Sequence, residues 1–219
     1  MKVKFWGTRG SIPCPGSARA KYGGNTSGIQ VIGGSEVIVM DAGTGIRELG
    51  LELVAQRRNL KINLLLSHTH WDHIQGFPFF TPIYFPGNEI TIFGPRALEK
   101  SLEEALMFQM QYSYFPVKGV ELAAKIKFRE LDGEDEFRIG DVDFRTKSMN
   151  HPIRVLAYRF TKGNRSGAYT GDNEPYYDVL ADSNKTDPGA QNRREFIKEC
   201  NDKVVQFVKG CDLLVADAQ

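Results

Sequence analysis

The stretch SHTHWDH at residues 67–73 concentrates three of the chain's four histidines within six residues, together with an aspartate. His68 and His70 are two residues apart, so an extended backbone would point both side chains to the same side. Asp72 continues that alternation, and His73 would turn elsewhere if a helix follows it. The stretch therefore predicts two groups of side chains that face two neighbouring points, the arrangement that a pair of metal ions needs.

The chemistry of these side chains indicates which metals would suit the site. Imidazole nitrogen and carboxylate oxygen, without cysteine, suit Zn²⁺, Mn²⁺ or Fe and not a structural thiolate zinc. The alternative is a polar surface loop with incidental histidines. That alternative is disfavoured, because ligand-type groups crowded directly after a buried strand would be costly if nothing paired them.

Two residues outside this stretch are candidates for further metal ligands if residues 67–73 bind a metal. His151 lies between Asn150 and Pro152, and Asp172 ends a short strand at a glycine turn. Each by itself would be interpreted as a turn residue, since aspartate beside glycine is common in turns. A catalytic centre needs more ligands than residues 67–73 supply, which makes His151 and Asp172 candidates.

The flanking sequence predicts strands that alternate with helices. Strands are predicted at 3–6, 29–32, 36–40, 62–66, 89–93 and 168–170, several within 125–160, and a buried one at 213–215. Helices are predicted from Ile46 to about Arg58, from Arg96 to Met110 and from Asn192 to Val208, with an exposed loop at 181–193. This order predicts an α/β sandwich of two sheets with helices outside.

Composition gives little reason to expect a membrane or nucleic-acid partner. Lys and Arg total 28 and Asp and Glu total 27 in 219 residues, so no global field attracts a polyanion. The three scattered cysteines suit a reducing compartment, and no signal peptide or membrane span is apparent. We expect a cytoplasmic protein.

Several motifs together carry a family resemblance. SHTHWDHIQGF resembles the metal-binding signature of the metallo-β-lactamase superfamily, and NHP at 150–152 and TGD at 170–172 match its next two ligand motifs. GTRGSIPCPG at 7–16, YGGNTSG at 22–28 and VMDAGTGIRELG at 39–50 are similar to a bacterial, phosphodiesterase-like branch. The resemblance covers nearly the whole chain and implies one domain, residues 1–219, with the four-layer αββα metallo-β-lactamase sandwich.

The resemblance also implies a ligand set for two divalent ions. One ion would be held by His68, His70 and His151, and the second by Asp72 and His73, with Asp172 bridging the two. Zn²⁺ is the expected ion, with Mn²⁺ or Fe as alternatives. Asp72 and Asp172 are the candidate catalytic residues, and Asp72 would also orient the nucleophile.

One family feature is missing. The family has a further ligand histidine after a strand like CDLLVADAQ, here residues 211–219, and all four histidines are already assigned. We expect that the chain is truncated at its C-terminus and that the second site is incomplete. The alternative is that water or another group completes it.

The resemblance favours metal-dependent hydrolysis of a small phosphodiester, a cyclic nucleotide or a related diester, by a hydroxide shared between the metals. One alternative is a nuclease similar to the tRNA 3′-processing endonucleases. The Trp71 variant of the motif, the balanced charge and the lack of a long basic arm argue against it. A non-catalytic metal-binding module is a further alternative.

The segment Met107–Phe115, MFQMQYSYF, is rich in methionine and aromatic residues. We expect it to pack in the core, with a homodimer contact or a lid over the substrate pocket as the alternatives.

Some residues are expected to support the site. Asp41, at a strand end before two glycines, is predicted to hydrogen-bond neighbouring loop backbone and shape the floor of the site. The cations proposed for phosphate contact are Arg9, Arg47, Arg154 and Arg165.

Overall fold

The computed structural model describes residues 1–56, 59–96, 99–180 and 189–216 and contains two β-sheets. The first sheet has six strands in sequence order: β1 (Lys2–Gly7), β2 (Gly28–Ile32), β3 (Val37–Met40), β4 (Lys61–Leu65), β5 (Glu89–Pro95) and β6 (Lys125–Leu131). Strands β1 to β3 pair antiparallel, and β3 to β6 pair parallel.

The second sheet has five strands in the order β11-β10-β9-β8-β7. They are β7 (Glu136–Ile139), β8 (Val142–Met149), β9 (Val155–Lys162), β10 (Arg165–Tyr169) and β11 (Leu213–Val215). Strand β11 pairs parallel with β10, and the other pairs are antiparallel.

Strand β3 shows why the central strands are apolar throughout. Val37 and Val39 pack into the core on the helical side of the first sheet, whereas Ile38 and Met40 pack into the core between the two sheets. Because successive side chains of a strand point to opposite faces, a strand covered on both faces needs an unbroken apolar run. The same reasoning predicts Ile62 to Leu66 as a buried strand, which β4 confirms.

Helices cover the outer faces of both sheets. Helix α1 (Ile46–Gln56) buries Leu49 and Leu53 against the first sheet, and α3 (Leu102–Phe108) packs in the same layer. Helix α4 (Ala190–Val208) packs Val204 and Phe207 against the second sheet. The result is the predicted four-layer αββα sandwich. Within the described residues, no helix is at once long enough and apolar enough to cross a bilayer.

The predicted helix from Arg96 to Met110 is too long. Helix α3 begins at Leu102, because Ser101 is its N-cap: the Ser101 hydroxyl accepts the backbone N–H of Glu104, and the Glu104 carboxylate accepts that of Ser101. The end of the first predicted helix, residues 57–58, lies outside the described residues.

Two C-terminal predictions also need correction. Residues 181–188 of the predicted exposed loop lie outside the described residues, but Ala190 to Arg193 form the first turn of α4. Strand β11 exists, but its leucines are exposed and not buried. The reason is its position at the edge of the second sheet, where only β10 is its neighbour among the described strands.

Candidate metal centre

The site forms where the loops after β4, β8 and β10 meet, at one end of both sheets. Backbone hydrogen bonds fix the loop after β4 in place: Leu66 N–H donates to Phe93 O at 2.8 Å, and Leu156 N–H donates to Ser67 O at 2.9 Å. The second bond ties this loop to β9 of the other sheet. The side chains that follow are therefore positioned by the packing of the two sheets on each other.

One group of four residues, here called the first sub-site, consists of His68, His70, His151 and Asp172. One ligand atom from each lies within 4.8 Å of the others. His151 Nε2 lies 3.1 Å from His70 Nδ1, and Asp172 Oδ2 lies 3.6 Å from His68 Nε2 and 3.8 Å from His151 Nε2. Three imidazoles and a carboxylate that converge in this way match a zinc-type donor set.

The second sub-site consists of Asp72, His73 and the other oxygen of Asp172. His73 Nε2 lies 3.2 Å from Asp172 Oδ1 and 3.5 Å from Asp72 Oδ2. Asp172 thus presents Oδ2 to the first sub-site and Oδ1 to the second. The structure brings all six predicted ligands together, and their role as ligands stays a prediction.

The backbone at the second sub-site differs from the extended arrangement that the sequence predicts for Asp72. A short helix, α2 (Trp71–Ile74), begins one residue before Asp72, with His70 as its N-cap in an extended conformation. The helical turn is closed by His73 N–H, which donates to His70 O at 3.0 Å. Asp72 and His73 are therefore neighbours on a helical turn, which brings both to the second sub-site.

His68 shows that the first sub-site fits a cation. The Ser67 hydroxyl donates to Asp41 at 2.8 Å, so it accepts from His68 Nδ1 at 3.0 Å, which leaves a lone pair on Nε2. That Nε2 is buried and has no hydrogen-bond partner among the described residues. Burial and the charge of His73 lower the pKa of His68 to about 3. A buried, neutral, unpaired imidazole nitrogen beside a carboxylate is the state in which histidine binds a metal.

Asp41 orients His73 of the second sub-site by a hydrogen bond. It is buried at φ +58° and accepts hydrogen bonds from Ser67 N–H at 2.6 Å, from His73 Nδ1 at 2.6 Å and from the Tyr169 hydroxyl. The bond to Nδ1 orients the His73 ring so that Nε2 faces Asp172. The prediction that Asp41 binds loop backbone is confirmed. The sequence did not reveal its contacts with His73 and Tyr169, because they join distant segments.

The same network sets the charges of the second sub-site. Burial lowers the pKa of His73, but the Asp41 charge and the hydrogen bonds to Asp172 and Asp41 outweigh it and raise the pKa to about 11. Burial raises the pKa of Asp172, yet the hydrogen bond and charge of His73 lower it below its ordinary value overall. A divalent ion that binds His73 Nε2 would therefore have to displace a proton.

Gly171 allows Asp172 to approach the centre. Its φ is +60°, and a Cβ added there would lie 2.7 Å from the Ser67 Cβ. A side chain would thus be strained by the backbone conformation and would also collide with the loop after β4. The glycine before Asp172 is required by both the turn and the close packing.

A cavity of about 170 Å³ adjoins the second sub-site. Its walls include His73, Asp172, Tyr169 and Arg9. Arg9 belongs to a loop that is tied to the centre, since Ser11 N–H donates to Asp72 Oδ2 at 2.7 Å.

The four candidate arginines are in different surroundings. The Arg9 Nε–H donates to the Ile12 carbonyl at 2.8 Å, and Arg9 is one of the residues that line the cavity. The other three are paired with carboxylates at places that do not line this cavity: Arg47 with Glu48, Arg154 with Asp132 and Arg165 with Asp212. Arg9 is therefore the candidate that the structure brings to the site.

Comparison with known proteins identifies the family. The β-lactamase superfamily domain matches residues 36–186, more than half of the chain, so the chain belongs to that superfamily. The structure is similar to the metallo-β-lactamase fold protein YhfI of Bacillus subtilis, with a TM-score of 0.57, 21% identity and coverage of 81% of this chain and 65% of that one. It is also similar to the short form of human tRNase Z, with a TM-score of 0.57, 20% identity and coverage of 78% and 69%.

A sequence relative is the ribonuclease Z of Methanocaldococcus jannaschii, which is 32% identical over 129 residues. The match covers 57% of this chain and 38% of the relative. The chain spans about half or less of the length of the first curated relatives it matches. The fold and the family match place the chain in the β-lactamase superfamily, and its His/Asp cluster is a candidate site for a divalent metal.

Proposed function

We propose that this chain forms the metal-binding part of a nuclease, one that hydrolyses phosphodiester bonds in RNA. The observation that carries the proposal is the centre itself, in which Asp172 faces three imidazoles on one side and His73 on the other. The similarity to proteins named ribonuclease Z and tRNase Z supports RNA as the substrate class. This reverses the order in which the sequence ranked the nuclease and the small-molecule phosphodiesterase.

The residues divide the work between metal binding and substrate binding. His68, His70 and His151 would hold one divalent ion, Asp72 and His73 a second, and Asp172 would contact both. When bound, such ions supply an activated water and the Lewis acidity that phosphodiester hydrolysis requires. No nucleophilic serine or cysteine is needed for this reaction.

The chain's own residues then position the reactants. Asp72 is held by the Ser11 N–H, and its carboxylate can accept a hydrogen bond from the attacking water and orient it towards phosphorus. Arg9 lines the same cavity as Asp172, and its guanidinium would bind a non-bridging phosphoryl oxygen and offset its charge. The P–O bond to the leaving strand breaks as the oxygen of the water bonds to phosphorus.

A second candidate is a small-molecule phosphodiesterase, with a cyclic nucleotide or related diester as substrate. It is favoured by the small size of the cavity, about 170 Å³, and by the balanced charge of the chain. In both candidates the reaction is the same, so the two differ only in what surrounds the scissile phosphate.

The test compares two substrates with one preparation of protein. The chain is stripped with chelator, reloaded with Zn²⁺ or Mn²⁺, and offered a tRNA precursor with a 3′ trailer and a cyclic nucleotide. The proposal predicts metal-dependent cleavage of the RNA at a defined phosphodiester, with much slower turnover of the cyclic nucleotide.

The control is His70→Ala, which removes a candidate ligand and should abolish cleavage of both substrates. Fast hydrolysis of the cyclic nucleotide with intact RNA would establish the second candidate. A folded, metal-loaded chain that cleaves neither substrate, nor a simple activated diester, would support the non-catalytic alternative.

A further inference from the structure

Trp71 is the residue of the metal-binding stretch that the centre itself does not use. It lies between His70 and Asp72 at the first position of α2, and its side chain is 80% exposed. Of the aromatic residues that follow, Phe77 and Phe80 are fully buried in the core, whereas Phe79 is 54% exposed. A tryptophan left in water in the middle of a buried ligand segment contributes almost nothing to the core.

The position of Trp71 is fixed although its side chain is exposed. The residues on either side of it point ligand atoms into the two sub-sites, and consecutive Cα atoms are only about 3.8 Å apart. The helical turn of α2 is held by the backbone bonds His73 N–H to His70 O and Gln75 N–H to Trp71 O, at 3.0 and 2.7 Å. The backbone that carries the exposed indole is therefore fixed between a ligand of the first sub-site and a ligand of the second.

We infer that Trp71 is a stacking surface for a nucleobase next to the scissile phosphate. The inference rests on the proposed function, because it needs a nucleotide whose phosphate occupies the metal centre. A flat, exposed indole offers the π-face on which bases stack, whatever their sequence. The chain has a net charge of +1, so no global field helps to hold a nucleic acid. Stacking beside the centre supplies binding that charge does not.

The two tryptophans of the chain make this inference directly measurable by fluorescence. The other one, Trp6, is half-buried, donates from Nε1 to Gln30 Oε1 at 3.2 Å and carries Lys4 Nζ over its ring at 3.6 Å. Zn²⁺-loaded protein is titrated with AMP and, as the matched ligand without a base, with ribose 5-phosphate. AMP should quench the fluorescence, ribose 5-phosphate should not, and Trp71→Phe should lose the quenching by AMP. This readout needs no turnover, so it stands even if hydrolysis is not found.

Kinetics provide the second measurement. The substrates are thymidine 5′-(p-nitrophenyl) phosphate and methyl p-nitrophenyl phosphate, which share a leaving group and differ in that the second has a methyl group in place of the nucleoside. Stacking of one base predicts that Trp71→Leu lowers the ratio of their kcat/KM values about tenfold, whereas Trp71→Phe keeps most of the preference. Phe196→Leu, an equally conservative change of an exposed aromatic on α4, should leave the ratio unchanged.

Three results would overturn the inference. One is AMP quenching that persists in Trp71→Phe, and another is an equal loss of kcat/KM for both esters in Trp71→Leu. The third is equal quenching by AMP and ribose 5-phosphate, which would mean that the phosphate alone is sensed. If neither ester is hydrolysed but AMP quenches Trp71 selectively, the proposed function fails while the stacking site stands.

Discussion

The two halves of the metal centre are built in different ways. The first sub-site collects His68 and His70 from the loop after β4 and His151 from the loop after β8, so its geometry depends on how the two sheets pack. The second takes Asp72 and His73 from one turn of α2, and its geometry depends on the local network of Asp41. Burial and the charge of His73 lower the pKa of His68, whereas the charge of Asp41 and the hydrogen bonds to Asp172 and Asp41 raise the pKa of His73.

This difference has a consequence for metal binding. An ion that enters the first sub-site has no proton to displace from His68 Nε2. An ion that enters the second must first remove the proton of His73, and proton release weakens apparent affinity. We therefore expect the first sub-site to bind its ion more tightly, and the second to fill only at higher metal concentration or higher pH.

The largest effect should come from Asp172, which contacts both halves. Asp172→Ala should reduce the bound metal in both sub-sites and bring hydrolysis below detection, because the shared carboxylate is lost. Metal content by mass spectrometry and turnover of bis(p-nitrophenyl) phosphate check this. Asp143→Ala, an exposed β8 carboxylate paired with Arg138, is the control and should behave as wild type. Unchanged metal content in Asp172→Ala would contradict the bridging role.

Single ligand substitutions separate the two halves. His68→Ala should lose the tightly bound ion, whereas His73→Ala should keep it and lose only the weaker one. Each should lower kcat by about 1,000-fold, since a catalytic metal supplies several kcal/mol to the transition state. Equilibrium dialysis against Zn²⁺ gives the two affinities. Loss of the same ion in both variants would contradict the assignment of His68 and His73 to separate sub-sites.

A smaller effect on metal binding is expected from Asp41, which is hydrogen-bonded to His73 of the second sub-site. Asp41→Asn removes the charge that orients His73 through Nδ1 while keeping the shape of the side chain. Loss of such a partner of a metal ligand typically costs about 10- to 100-fold in affinity or activity. The loss should be larger for the second ion than for the first, because Asp41 bonds His73 directly and reaches His68 only through the Ser67 hydroxyl. Thermal melting should accompany the assay, because Asp41 also accepts the Ser67 N–H. Weakening of the first ion to the same degree would show that the two halves are not independent.

The smallest effect should come from Arg9. Arg9→Gln should raise KM for a phosphodiester about tenfold with little change in metal content, since a charge-assisted hydrogen bond contributes about 1.5 kcal/mol or more. The matched control is Arg47→Gln, whose guanidinium pairs with Glu48 on α1, outside the cavity. If the two variants have equal KM values, Arg9 does not contact the phosphate.

The sequence predicts the parts of this molecule that follow from periodicity and ligand chemistry. The apolar runs of β3 and β4 indicate strands buried on both faces, and the histidine spacing indicates a metal site. It could not show that α2 begins at Trp71, since four residues carry no helical periodicity. Nor could it show the contact between Asp41 and Tyr169, 128 residues apart, because only the packing of two sheets brings them together. Nor could the sequence show that Trp71 is exposed, because exposure depends on which parts of the fold pack around a residue.

The most direct test of the central claim is a metal titration of the chelator-stripped chain, with bound Zn²⁺ and hydrolysis of bis(p-nitrophenyl) phosphate followed together. We expect no turnover in the stripped protein, binding of a first ion to the first sub-site, and turnover that rises as the second ion binds. Full turnover in the stripped chain, or two bound ions without hydrolysis of any phosphodiester, would contradict it.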